Sequence, residues 1–189
     1  MFAARVNMQQ GGSACNPEFH PHLIWAAQCE NRKIGTMNIE TVVWKPHVTV
    51  AAVAERGGRF LLIEEETERG ALYNQPAGHL EQGETLVAAV IRETLEESAH
   101  HFTPRALLGV YHYHYRSNDT TYMRFAFIGD VTGHEPQRAL DTGIIRALWM
   151  TPEEIRASHA RHRTPLVMQC VNDCLAGRQY PLQLITHCG

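Results

Sequence analysis

Glutamates whose spacing would suit a metal ion are concentrated in one stretch of the sequence, between Gly78 and His100. If this stretch is helical, Glu93, Glu96 and Glu97 lie on one arc of the helix surface. Like charges at this spacing repel by about 0.2–0.5 kcal/mol per pair, and carboxylates near a helix C-terminus oppose the helix dipole. A bound divalent cation would reverse both penalties, because hard cations prefer carboxylate oxygens as ligands.

The residues around these glutamates predict the helix that positions them. Gly83 breaks the backbone just before Glu84 and Thr85, which are typical of a helix start. Most residues from Leu86 to Ser98 are good helix formers. Their apolar members form one buried arc beside the glutamates. These members are Val87, Val90, Ile91 and Leu95.

By themselves, the three glutamates favour a simpler interpretation, a solvated acidic face on which Arg92 pairs with Glu96, because short motifs often match by chance. The complete spacing changes this interpretation. It reads Gly78-x5-Glu84-x7-Arg92-Glu93-x2-Glu96-Glu97. This spacing resembles the signature of the Nudix family, which are Mg²⁺-dependent hydrolases of nucleoside diphosphates linked to another moiety.

Three positions depart from the family pattern. Thr94 and His100 stand where apolar residues are usual, and Ala99 stands where glycine is usual. The departures concern the packing and the C-terminal end of the helix, and they leave the carboxylates in place.

The resemblance implies a metal site at the matching positions. Glu93 and Glu97 would be the principal Mg²⁺ ligands, and Glu96 would be a further ligand. The backbone carbonyl of Ala77 or Gly78 would complete the site. Mn²⁺ is the alternative ion.

The resemblance also implies roles in catalysis. Arg92 and Glu84 would orient the carboxylates by pairing with them. Glu93 is the first choice for the general base and Glu97 the second. The family often uses an additional carboxylate shortly before a strand tryptophan, and Asp141 is the nearest acid to that position here.

Stretches outside the helix extend the resemblance to bacterial phosphatases of this family, over roughly residues 45–185. They include KPHVTVAAV, NQPAGHLE and the later TPLV and QYPL. The resemblance implies an α+β fold, with a mixed β-sheet between helices. It also implies hydrolysis of nucleoside tri- and diphosphates and of thiamine-pathway pyrophosphates, with release of phosphate.

Hydrophobic patterning independently predicts the surrounding elements. Strands are expected at 47–54, 59–64, 105–115, 121–131 and 144–150, with a short extended piece at 72–76. Thr151 and Glu154 predict a helix start, and a second helix is expected from Thr164 to about Leu175. In the strand at 121–131, alternation places Met123, Phe125 and Phe127 on the core face.

Substrate phosphates would need cationic partners. Lys45, Arg59 and Arg124 are the candidates, although each is equally well explained as a solvated charge. The alternating tyrosines Tyr111, Tyr113 and Tyr115 would either pack in the core or stack on a substrate ring.

Bulk composition limits the other possibilities. The net charge of −3 gives no reason to expect a nucleic-acid partner, which also disfavours removal of a 5′ pyrophosphate from RNA. No apolar run suggests a membrane span. Five cysteines, none between residues 51 and 149, fit a reducing cytoplasm. We therefore expect a cytoplasmic monomer or homodimer with a small phosphorylated substrate. A nucleotide sensor without hydrolysis is the alternative.

The chain is long enough for one domain with a full core. Residues 42–189 carry the periodic patterns and are expected to form the Nudix hydrolase domain. Residues 1–41 have loop-like composition and are expected to be a poorly packed extension. A natural start at Met37, just before the first strong strand signal, is a hypothesis that goes with this division.

Overall fold

The structure of the chain, a computed structural model, describes residues 43–188. This range contains seven strands, three α-helices and two short 3₁₀ turns. The strands are β1 (His47–Arg56), β2 (Arg59–Glu65), β3 (Leu72–Asn74), β4 (Ala77–His79), β5 (His100–Tyr115), β6 (Thr120–His134) and β7 (Ile144–Met150). The helices are α1 (Leu86–Ser98), α2 (Pro152–Ala157) and α3 (Leu166–Leu175).

The strands form one mixed sheet in the order β3-β2-β1-β6-β5, with β4 also pairing with β1 and β7 with β2. β1 and β6 are parallel, from His47 opposite Tyr122 to Ala54 opposite Gly129. The other strand pairs are antiparallel. β1 and β2 pair only near their shared turn, at Glu55–Phe60 and Arg56–Arg59, and then each joins a different neighbour.

Helices cover both faces of the sheet. On one face, Ala51 and Val53 of β1 pack with Ile155 of α2 and Val167 of α3. On the other face, the alternate residues of β1 pack with Ala89 and Val90 of α1. Because neither face of β1 meets water, its sequence is a continuous apolar run rather than an alternating one. The predicted α+β fold, a mixed sheet between helices, is confirmed.

Local capping explains where α1 begins and ends. The Thr85 hydroxyl accepts a hydrogen bond from Ala88 N at 3.0 Å, which satisfies one of the free N–H groups of the first turn. At the other end, Ala99 adopts a left-handed conformation with φ of 56°, and its N–H donates to Leu95 O. Glycine usually takes such a position, so alanine forms the same helix end with some backbone strain.

Three expectations about the strands were wrong in detail. The prediction lacked β4, and it began β5 near Arg105 and ended β6 near Val131, whereas pairing continues back to His100 and on to His134. Only one face of β6 was assigned to the core. The opposite face is buried as well, since β6 lies between β1 and β5 under α3, and Ala126 is fully buried.

The predicted extension at residues 1–41, with the hypothetical start at Met37, lies outside the described residues. Within residues 43–188, no helix is both long enough and apolar enough to span a bilayer.

Candidate functional site

Arg92 lies at the centre of the carboxylate cluster on α1. Its guanidinium donates to Glu84 at 2.9 Å, to Glu93 at 2.8 Å, to Glu96 at 3.0 Å and to the His79 carbonyl at 3.1 Å. The bonds between Arg92 and Glu84 raise the pKa of Arg92 and lower that of Glu84. Arg92 therefore fixes the orientation of the glutamates and ties them to the backbone of β4.

The remaining glutamate, Glu97, contacts β4 directly. Its Oε2 accepts a hydrogen bond from Ala77 N at 2.7 Å. The carboxyl of Glu93 lies against Gly78, where an added Cβ would be 2.1 Å from Glu93 Cδ. Only glycine leaves room for this approach. The structure thus brings together Ala77, Gly78, Glu93 and Glu97, which the sequence had assigned to one site.

Negative charge in this cluster is not fully compensated. Burial raises the pKa of Glu97 to about 8, with further contributions from the charges of Glu93, Glu65 and Asp141. Burial also raises the pKa of Glu93, although Arg92 opposes the shift. Asp141 lies beside the cluster because its N–H donates to the Glu96 carbonyl at 3.0 Å. Carboxylates held in this way favour a cation as partner.

The donor set fits an open divalent-metal site better than a closed one. Among residues 43–188, no three His, Cys, Asp or Glu side chains come close enough to enclose an ion by themselves. Mg²⁺ in phosphate-processing sites commonly takes one or two carboxylates and completes its shell with water and substrate phosphates. Glu93 and Glu97, together with the backbone carbonyls of β4, provide this kind of partial shell.

A cavity of about 180 Å³ borders the same β4 backbone. Its walls come from β1, the end of β2, the β3–β4 segment, the β5–β6 hairpin and the start of α3. They carry two cationic side chains and three tyrosines. The lining includes Thr49, Glu65, Asn74, Ala77, Gly78, His79, Tyr113, Tyr115, Tyr122, Arg124 and Arg163.

Of the two arginines in this cavity, Arg124 is the better candidate for binding an anion. Its residue is only 8% exposed, and burial lowers its pKa. Its only side-chain hydrogen bond within the described range is a long one, 3.5 Å to Asn74 Oδ1, and it forms no ion pair with a described residue. A buried charge without a partner is costly, so an anionic group in the cavity would compensate it.

The structure does not bring the other two predicted cations to the cavity. Arg59 lies at the opposite end of β2, where it donates to Glu154 at 3.0 Å and to the Trp149 carbonyl at 3.1 Å. At about 3.3 Å per residue, β2 spans roughly 20 Å between Arg59 and the cavity residue Glu65. Lys45 is exposed in the segment before β1 and is not part of the lining.

The tyrosine stripe on β5 divides between the two expected roles. Tyr113 and Tyr115 line the cavity, where their rings are available to a bound molecule. Tyr111 packs against the core, and its hydroxyl donates to Asp173 Oδ2 at 2.9 Å.

Sequence reasoning missed Glu65, Arg163 and Thr49 as cavity residues. None belongs to a local motif. Arg163 precedes α3, almost a hundred residues after Glu65, so only the completed fold places them together. The only local sequence signal near Arg163 was the predicted helix start at Thr164, and a helix start does not indicate that a cavity lies beside it.

Comparisons with known proteins agree with this geometry. The family model described as NUDIX domain matches residues 44–170. The chain is 39% identical over 144 residues to Phosphatase NudJ from Shigella boydii serotype 4 and to Phosphatase NudJ from Escherichia coli strain K12. Each alignment covers 76% of this chain and 92% of the relative.

Solved structures extend the similarity. A NUDIX hydrolase from Nitrosomonas europaea is 52% identical, with a TM-score of 0.75, over 76% of this chain and 98% of that protein. The chain therefore belongs to the Nudix family, hydrolases that act on the phosphoanhydride bonds of small phosphorylated substrates and generally use divalent metal ions.

Proposed function

We propose that this Nudix hydrolase is a Mg²⁺-dependent phosphatase of nucleoside tri- and diphosphates and of thiamine-pathway pyrophosphates. One observation carries the proposal. The β4 backbone is contacted by the carboxylates of Glu93 and Glu97 and also lines a cavity that holds Arg124 and Arg163. The similarity to relatives named as phosphatases supports release of phosphate.

The cation would be held by Glu93 and Glu97, with Glu96 as a further ligand and a carbonyl of Ala77 or Gly78 completing the set. A bound divalent ion neutralises phosphate charge and lowers the pKa of a coordinated water. Mg²⁺ is the expected ion and Mn²⁺ the alternative, because the donors are all oxygen atoms.

The protein groups around the ion would then orient the reaction and move the proton. Glu93 is proposed to take the proton of the attacking water, and Glu97 is the second choice. Arg92 would position Glu93 and Glu96 through its hydrogen bonds to them at 2.8 and 3.0 Å. Glu84 would fix the Arg92 guanidinium by accepting a further hydrogen bond from it. Arg92 thus acts through the carboxylates rather than on the substrate.

The cavity would hold the rest of the substrate. Arg124 and Arg163 are positioned to compensate phosphate charge. Tyr113 and Tyr115 provide apolar surfaces for the organic group. This division of roles fits phosphoryl chemistry, which depends on positioning and charge neutralisation more than on covalent participation.

The proposal is tested by replacing Glu97 with glutamine and measuring phosphate release over a panel of nucleotides and thiamine-pathway pyrophosphates, with and without Mg²⁺. We expect the wild type to release phosphate only with the ion. Glu97→Gln should lose at least about 100-fold, since even residues that only support metal ligands cost 10–100-fold when they are replaced.

Glu153→Gln is the matched control, because it makes the same chemical change at an exposed position on α2. It should keep wild-type turnover. Unchanged turnover in Glu97→Gln would refute the site assignment. A wild-type protein that binds the panel without hydrolysing any member would instead be a nucleotide sensor.

A further inference from the structure

Two buried oxygen atoms of the cavity have no hydrogen-bond partner among residues 43–188. They are Thr49 Oγ1, on β1, and Glu65 Oε1, at the end of β2. Buried polar atoms are nearly always satisfied in folded proteins, so an exception calls for a physical explanation. Both atoms belong to residues that line the cavity where the substrate is proposed to bind.

Glu64, the residue before Glu65, has a carboxylate whose two oxygens both accept hydrogen bonds. Glu64 points to the opposite face of β2, where Arg146 donates to it at 2.6 Å and Arg161 binds its other oxygen. Arg163 lies 3.8 Å from the unsatisfied oxygen of Glu65, which is too long for a hydrogen bond. Burial raises the pKa of the Glu65 carboxyl, and the Asn74 side chain beside it opposes this shift. The chain therefore completes one carboxylate and leaves the next one facing the cavity incompletely bonded.

The missing partner is a neutral donor rather than a second metal ion. Arg163 and Arg124 place positive charge beside Glu65, which would repel a cation. An amino group carries two N–H donors and can donate to the Glu65 carboxylate, while the Thr49 hydroxyl can accept or donate.

We propose that Glu65, assisted by Thr49, binds an exocyclic amino group on the aromatic ring of the substrate and thereby selects amino-substituted heterocycles. The ring would lie against Tyr113 and Tyr115, which line the same cavity. A carbonyl at the position of the amino group would place an acceptor opposite the Glu65 carboxylate, which when ionised can only accept. Sites built to bond a polar group discriminate strongly against analogues that lack it. This inference rests on the proposed function, and it adds the substrate class.

CTP and UTP provide the test, because they differ at the position where one carries an amino group and the other a carbonyl. We would measure kcat/KM for both nucleotides with Mg²⁺. The wild type should prefer CTP by about 10-fold or more, which corresponds to about 1.4 kcal/mol. In Glu65→Gln the ratio should fall toward 1, because the glutamine amide donates to a carbonyl as readily as it accepts from an amino group.

Glu66→Gln is the control, since Glu66 is the next residue and is exposed. It should keep the wild-type ratio. Equal use of CTP and UTP by the wild type would overturn the inference, and so would a Glu65→Gln enzyme that loses activity on both nucleotides by the same factor. If the enzyme hydrolysed neither of these nucleotides nor any other member of the panel, the proposed function would be refuted, and this inference with it.

Discussion

At the scale of single residues, the site combines one well-compensated cation with carboxylates that lack compensation. Arg92 shares its guanidinium among Glu84, Glu93 and Glu96. Among the described residues, Glu97 accepts a hydrogen bond from the Ala77 N–H, and the charges of Glu93, Glu65 and Asp141 add to the effect of burial in raising its pKa. A divalent metal ion, which the family generally uses, would compensate these carboxylates. In its absence, Glu97 should weaken the folded state.

The pH dependence of stability follows from the pKa of Glu97, which burial raises from 4.5 to about 8. A group whose pKa is higher in the folded state loses its stabilising contribution as pH rises, here between about 4.5 and 8. We expect the melting temperature of the metal-free protein to fall more steeply over this range in the wild type than in Glu97→Gln. Thermal unfolding with a chelator, at several pH values, measures this difference.

Mg²⁺ should reduce the decline in the wild type, because the ion binds the ionised carboxylates. Burial lowers the pKa of His79 and of His100, and both histidines are present in the two proteins, so the comparison with the variant isolates Glu97. Parallel pH profiles for the two proteins would show that Glu97 is not buried as described.

At the scale of elements, the features that depend on near neighbours were predictable and those that depend on pairing were not. The cap at Thr85 and the capping box of Thr151 with Glu154 are local signals, and the structure contains both. β4 has only three residues and exists because it pairs with β1. The ends of β5 and β6 are set by each other across the sheet, so composition alone did not locate them.

The N-cap of α1 gives a prediction at this scale. Replacing Thr85 with alanine removes the bond from Ala88 N and should lower the free energy of unfolding by about 1 kcal/mol. Urea denaturation measures the change. Thr85→Ser keeps the hydroxyl and should unfold like the wild type. Equal stability of the alanine variant would mean that the bond contributes nothing to the start of the helix.

At the scale of the whole molecule, the cluster of Glu93, Glu96 and Glu97 was predictable because these residues share one helix, whereas the cavity was not. Its lining comes from five separate parts of the chain, including Thr49, Tyr113 and Arg163. Arg124 was identified as a candidate cation, but its burial between sheet and helix became visible only in the fold. Arg59 was a reasonable candidate that tertiary structure places elsewhere.

Residues 43–188, the described part of the chain, contain the seven strands, the three helices and the candidate site. We therefore predict that a chain starting at Met37 keeps both the fold and Mg²⁺-dependent hydrolysis. Its kcat/KM should be within about 2-fold of the full chain, and its melting temperature should be similar, because additions outside a folded core are usually tolerated. Aggregation or loss of activity in the shortened protein would show that residues 1–36 are needed.

The most direct test of the account is calorimetry of Mg²⁺ binding to the purified protein in the presence of a non-hydrolysable nucleotide. The account predicts saturable uptake of the ion in the wild type and at least about 10-fold weaker uptake in Glu97→Gln. Absence of uptake by the wild type, or equal affinity in the two proteins, would contradict the claim that these glutamates hold the metal.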